Sequence, residues 1–341
     1  MAKRIIAGVL ILIFLAFIFL AGIRSCNQSA KPVSAVAPVD QSQPTVIAPQ
    51  FNADSAYYYT KKQVDFGFRI PGTPVQKKVA DWLTAKLKTY TKDVYVQNTT
   101  VKIYNGKMVP CINIIGAFNP QAQKRILLLS HWDSRPYADE DSVNKDKPFP
   151  SACDGASGVG ILLEMARQFA QQSPNVGVDV FFTDVEDYGP PRGSNIPDDD
   201  SYCLGTQYWA KHPHVANYHA YYGVLLDMTA AKNAQFLQEG YTMQYAPTIQ
   251  KKIWDIGNQL GYGQFFKYEN GVVITDDHFY VNTIADIPTV DIIDLDNNSP
   301  TKFAYYWHTH KDDMSIIDTA TLKAVGQTLL QLIYSEPTGA S

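Results

Sequence analysis

Between residues 125 and 183 a short apolar run, a long amphipathic one and a second short run follow each other: "RILLLS" (125–130), "GASGVGILLEMARQFAQQ" (155–172) and "VDVFFT" (178–183). Short runs of this apolarity suit strands covered on both faces, and such strands occur in largely parallel sheets. Parallel neighbours need a crossover, and the middle run supplies one, since Val159, Leu162, Leu163, Ala166 and Phe169 fall on one side of a helix. "GVLLD" (223–227) and "PTVDII" (288–293) repeat the strand pattern. Further helices are expected over 75–90, with Val75, Val79, Trp82, Leu83, Leu87 and Tyr90 on one face, and over 248–261 and 319–334. No internal repeat is visible. The order predicts an α/β fold: a single open, mostly parallel twisted sheet with helices on both faces. A chain of 341 residues that is 45% hydrophobic has enough apolar material to fill it.

A net charge of -4 with 18% charged residues offers no basic footprint, which argues against a nucleic-acid partner. The N-terminus carries the one address signal. Lys3 and Arg4 precede an uncharged stretch from Ile5 to Ile23, long enough to span a bilayer, and positive charge on the short side keeps that end in the cytoplasm. Residues 1–25 therefore read as a membrane anchor or a signal segment; "GIRSC" leaves lipidation at Cys26 open as a third alternative. Residues 26–50, rich in Pro, Ser, Ala and Gln, read as a flexible tether, and the catalytic α/β domain is expected over 51–336, exported to the periplasm or beyond the cytoplasm. Four cysteines at 26, 111, 153 and 203 contain no Cys-x-x-Cys pair, which excludes a zinc ribbon and leaves a Cys153–Cys203 disulfide open.

The polar residues cluster where an open α/β sheet places its crevice, beyond the carboxyl ends of the strands. His131 and Asp133 follow "RILLLS", Asp154 precedes a helix, Glu186 and Asp187 follow "VDVFFT", Asp227 ends "GVLLD", and His308 follows "PTVDII". Any one of these carboxylates is equally readable as a helix cap. Together, five or more acids and imidazoles at one sheet edge repel or stay unsatisfied unless a cation organises them, and oxygen and nitrogen donors without thiolate suit catalytic zinc.

"FRIPGTP" (68–74), "HWDS" (131–134), "CDGASGVGILLEMAR" (153–167), "VFFTDVEDYG" (180–189), "LLDMTA" (225–230), "TDDHFYVNTIADIPTV" (275–290) and "WHTHKDD" (307–313) resemble, in order and spacing, the zinc aminopeptidase-like fold of peptidase family M28, and within it the animal-type glutaminyl cyclases. The resemblance spans about Arg69 to Tyr334. It implies conversion of an N-terminal glutamine to pyroglutamate with release of ammonia, on peptides or exported proteins. By the same resemblance Asp154, Asp187 and His308 are the zinc ligands, Glu186 is the general acid/base, Asp277 and Asp227 are further catalytic carboxylates, and Trp307 walls the substrate. His131 and Asp227 correspond to second-metal ligands in the aminopeptidases and to outer-shell residues in the cyclases, so one zinc is expected for a cyclase and two for an aminopeptidase. His310 reads as a solvated neighbour. Two departures stand out: Asp187 replaces the family's glutamate ligand, and no tryptophan follows the acidic pair before Trp209. The alternatives are a co-catalytic di-zinc aminopeptidase and a non-catalytic exported binding domain. The second is disfavoured by the presence of Glu186 beside a full ligand set.

Overall fold

The computed structural model describes residues 47–196 and 200–338. Eight strands, β1 (Val94–Lys102), β2 (Met108–Phe118), β3 (Arg125–His131), β4 (Gly177–Thr183), β5 (Tyr222–Asp227), β6 (Phe236–Gln238), β7 (Phe266–Asn270) and β8 (Thr289–Ile293), alternate with helices among these residues. The helices are α1 (Ala53–Asp65), α2 (Pro74–Lys88), α3 (Ala156–Gln171), α4 (Leu204–Lys211), α5 (Gly240–Tyr245), α6 (Pro247–Gln259), α7 (Asp277–Thr283) and α8 (Thr319–Tyr334). Six strands form one sheet in the order β1-β2-β4-β3-β5-β8, and β6 pairs with β7 separately. β4, β3, β5 and β8 run parallel, whereas β2 is antiparallel to β4 and β1 to β2.

Side-chain alternation along the buried strands divides the core into two layers. Ile126 and Leu128 of β3 join Val178, Val180, Val224, Val290 and Ile292 in the larger layer, with Leu83 of α2, Val159 and Leu162 of α3, Ile253 of α6 and Leu329 of α8. Leu127 and Leu129 face the other way, onto Phe181, Leu225, Trp209 of α4 and Val281 of α7. Helices thus cover both faces. The expected face of α2 is buried at Val79, Leu83 and Leu87. In α3 the expected stripe is only part of what is covered, because Gly158, Gly160 and Ile161 on its other sides are buried too.

The anchor or signal segment 1–25, Cys26 and the tether up to residue 46 lie outside the described residues. Among the described residues no helix is long and apolar enough to cross a membrane. The tether's last residues differ from expectation: Ala48 is buried, and the Pro49 carbonyl accepts from Gln327 Nε2 on α8, so chain docked on the domain begins before Phe51. No Cys153–Cys203 disulfide forms. Both thiols are free and face different groups, Cys153 Sγ lying 3.4 Å from the Tyr306 hydroxyl and Cys203 Sγ 3.4 Å from Glu186 Oε1.

Candidate active site

The four parallel strands share one carboxyl edge, and the residues at or just beyond it form the site. β3 ends in His131 and β5 in Asp227; Glu186 and Asp187 lie three and four residues past Thr183, the last of β4. Asp154 comes from the loop before α3 and His308 from the turns after β8. Four site segments hold a non-glycine residue in the left-handed region: Ser151 (φ 49) in the loop of Asp154, Val185 (φ 56) before Glu186, Met228 (φ 53) after Asp227, and His308 itself (φ 52). Such conformations cost about 1–3 kcal/mol each and persist where the surrounding structure over-determines them.

Asp154 stands between two imidazoles. Its Oδ1 lies 3.1 Å from His131 Nε2, which is also 3.2 Å from Asp227 Oδ1. Its Oδ2 lies 3.7 Å from His308 Nε2, which is also 3.4 Å from Asp187 Oδ1. Two triads, His131–Asp154–Asp227 and Asp154–Asp187–His308, thus share one carboxylate, and the donor atoms of each lie within 4.8 Å of one another.

The second triad has the partners of a metal seat. His308 Nδ1 lies 3.4 Å from Asp139 Oδ1, an arrangement that fixes the imidazole and frees Nε2. Asp139 is gripped by Arg135, whose Nε and Nη2 donate at 2.9 and 2.6 Å, while Nη1 of the same guanidinium donates to Asp187 Oδ1 at 3.1 Å. Asp187 Oδ2 is buried without a hydrogen-bond partner. Burial opposes protonation of His308, but the carboxylates around it, Asp187 foremost, overcome this and lift its pKa to about 9. A pocket that gathers two carboxylates around an imidazole nitrogen, and leaves a carboxylate oxygen free inside it, fits a divalent cation held by two oxygens and a nitrogen.

Glu186 is tied down mainly through its backbone. Asp133, fully buried, accepts from Glu186 N at 3.1 Å and Asp187 N at 3.3 Å and also faces His131 Nδ1 at 3.4 Å, so one carboxylate sets both loops. Burial raises the Glu186 carboxyl well above its ordinary range; the His131 charge opposes the shift, while Asp187, Asp276 and Asp277 add to it. Asp227 is lifted to about 6, chiefly by burial.

A cavity of about 380 Å³ opens over these groups, lined on the charged side by Asp154, Glu186, Asp187, Asp227 and Asp276 and on the apolar side by Trp307, Phe303 and Ile293. Trp307 is held in place by two stacked rings, its ring centroid 3.9 Å from that of His308 and 4.2 Å from that of Phe303. Asp277, expected as a catalytic carboxylate, does not line the cavity, whereas its neighbour Asp276 does. Asp277 is fully buried and accepts from Thr183 Oγ1 at 2.6 Å, whereas Asp276, the extended N-cap of α7, lines the cavity with its Oδ2 unpartnered. The chain turns from extended to helical between the two residues, and this sends their side chains apart. His310 lies outside both triads and pairs with Asp141, Nδ1 to Oδ2 at 2.9 Å. Asp133, Arg135, Asp139 and Asp276 were not assigned roles from sequence. The signal for the first three was the run "HWDSRPYAD" after β3, in which Arg135 and Asp139 stand four apart, and for Asp276 the acidic pair in "TDDH".

Fold and site together define the zinc aminopeptidase-like class. Residues 113–333 match peptidase family M28, and the chain belongs to that family. A zinc-dependent exopeptidase from Parabacteroides distasonis is 49% identical, with a TM-score of 0.83 over 85% of this chain and 100% of that one. A Bacteroides thetaiotaomicron glutaminyl cyclase bound to N-acetylhistamine is 47% identical, with the same TM-score and the same coverage of 85% and 100%. At greater distance, the glutaminyl-peptide cyclotransferase of Gloydius blomhoffii is 24% identical over 290 residues, 76% of this chain and 75% of that protein.

Proposed function

We propose that this chain is a zinc-dependent glutaminyl-peptide cyclotransferase that converts the N-terminal glutamine of peptides or proteins to pyroglutamate and releases ammonia. The observation that carries the reading is the 47% identity to the Bacteroides thetaiotaomicron cyclase across that protein's whole length. In this reading Asp154, Asp187 and His308 hold a single zinc. Bound there, zinc supplies Lewis acidity toward the substrate's γ-carboxamide.

The protein's own residues do the rest. Glu186, whose burial keeps its proton affinity high, takes a proton from the α-amine as that nitrogen bonds to the side-chain carbonyl carbon, and passes it to the departing amide nitrogen, which leaves as ammonia. Asp276 and Asp227 flank the reacting nitrogens from the charged wall. Nucleophile and electrophile belong to one residue, so holding the side chain folded against its own amine is a large part of the catalysis, and Trp307 contributes to the apolar wall of the cavity in which this happens.

The second reading is a di-zinc aminopeptidase. The His131–Asp154–Asp227 triad favours it, since its donor atoms also lie within metal-holding distance. Product analysis separates the two: with a Gln-Ala-type peptide the cyclase shortens the mass by one ammonia and blocks the amino terminus, whereas an aminopeptidase releases free glutamine. Release of N-terminal leucine at a rate matching glutamine cyclisation would sink the cyclase reading. Export through the apolar segment 5–23 belongs to the same proposal. It is checked by protease accessibility of the folded domain in spheroplasts with an intact inner membrane, where a cytoplasmic enzyme would stay protected.

A further inference from the structure

The loop 150–155 that presents Asp154 is an awkward piece of chain. Ser151 (φ 49) and Gly155 (φ 86) both sit in the left-handed region. Gly155 is required there, because a Cβ would come within 2.7 Å of the His131 ring. Ser151 has no such latitude, so something outside the loop must hold it.

Two fully buried side chains far apart in sequence, those of Arg69 and Asp312, do so. Arg69 donates Nη1 to the Pro150 carbonyl at 2.8 Å and Nη2 to the Ser151 carbonyl at 2.7 Å; its Nε donates to the Trp132 carbonyl at 2.9 Å, beside His131. Asp312 accepts from Cys153 N at 2.7 Å through Oδ1 and from Asp154 N at 3.1 Å through Oδ2. The carbonyls at the start of the loop meet a guanidinium, and the N–H groups at its end meet the two oxygens of one carboxyl group. The peptide dipoles are thereby oriented across the loop, and the hydrogen bonds from the guanidinium are charge-assisted, about twice as strong as neutral ones. Neither residue belongs to either triad.

We propose that Arg69 and Asp312 are positioning residues that set the Asp154 carboxylate for the metal, so that zinc affinity depends on two side chains that are not among its ligands. Arg69 extends the same control to the β3 end through the Trp132 carbonyl, and links the loop of Asp154 to that of His131. The inference rests on the reading of Asp154 as a zinc ligand.

The test compares zinc dissociation constants, measured by chelator competition, with thermal stability of the metal-free protein. Arg69→Lys keeps the charge but replaces three spaced nitrogens of a planar fork by one nitrogen on a shorter reach; Asp312→Asn keeps the size and turns one acceptor into a donor. Each is expected to weaken zinc binding about 10- to 100-fold, the usual range for groups that orient metal ligands. The control is the buried Arg125–Asp179 pair, 2.6 Å apart at the other end of β3 and β4. Asp179→Asn should lower stability and leave zinc affinity unchanged. If Arg69→Lys and Asp312→Asn bind zinc within about twofold of the parent and only lose stability as Asp179→Asn does, the two residues are fold staples and the proposal is overturned. Should Asp312→Asn fail to fold, the conservative Arg69→Lys decides alone. Asp154→Asn keeps the failures apart: if it retains zinc at parental affinity, the ligand assignment itself has failed, whatever Arg69 and Asp312 do.

Discussion

The two triads that share Asp154 are built from the same residue types, one histidine and two aspartates, yet their surroundings differ. His131 has an acid at each ring nitrogen, Asp133 at Nδ1 and Asp154 with Asp227 at Nε2, and no oxygen of its triad is left both buried and unpartnered. His308 is braced at Nδ1 by an Asp139 that is itself held by Arg135, and Asp187 Oδ2 is left free. The lesson is that ligand identity alone does not define a metal site. The orientation of each imidazole by the partner on its far nitrogen, and the oxygen left over, distinguish a seat for a cation from a network that satisfies itself.

The harshest way to break this contrast is to remove one triad at a time. Asp187→Ala or His308→Ala should abolish tight zinc binding and all measurable turnover, while His131→Ala should keep one zinc and lose about 10- to 100-fold in activity, as outer-shell substitutions do. Metal content after dialysis reads both. If His131→Ala loses zinc as fully as His308→Ala, or if two tight zincs per chain prove necessary, the triads form one co-catalytic centre and the aminopeptidase reading gains.

Glu186→Gln comes next in size. It should retain zinc and lower kcat about 10²- to 10⁴-fold with little change in KM, because only the proton shuttle is removed. Loss of zinc from this variant, with retention in Asp187→Ala, would mean that the two neighbours have exchanged roles.

A smaller effect separates Asp276 from Asp277. Asp276→Asn should cut kcat by roughly 10-fold or more, since it alters a wall of the cavity. Asp277→Asn should act mainly on stability, by about 1–3 kcal/mol, through its buried bond to Thr183. Equal kinetic effects with no stability difference would contradict the geometry of the α7 cap.

The smallest expected effect is that of the aromatic wall. Trp307→Ala should raise KM for glutamine peptides by about tenfold, roughly 1.4 kcal/mol, and Trp307→Phe by much less. An unchanged KM in Trp307→Ala would mean that the ring serves only to pack His308.

The strand runs 125–130, 178–183, 223–227 and 288–293 were legible because burial on both faces demands continuous apolar residues, and their order pointed to a mostly parallel sheet with helices on both faces. α1 was not legible. Its buried residues are Ala56, Tyr59, Thr60 and Gln63, a stripe with too little apolar character to register as a period. β1 alternates half-buried and exposed positions at the sheet edge, so its signal is weak for a similar reason.

What the sequence by itself determined is the fold class and the edge of the sheet where chemistry gathers, because hydrophobic periodicity and the position of acids after apolar runs are local properties of the chain. Only the tertiary structure decided that Asp276 and not Asp277 meets the cavity, that Cys153 and Cys203 stay apart, and that Asp133, Arg135 and Asp139 stand behind Glu186, Asp187 and His308. Those outcomes turn on the direction of single side chains and on contacts between residues far apart in sequence. Such directions are set by packing of the whole core and leave no local trace in the order of residues.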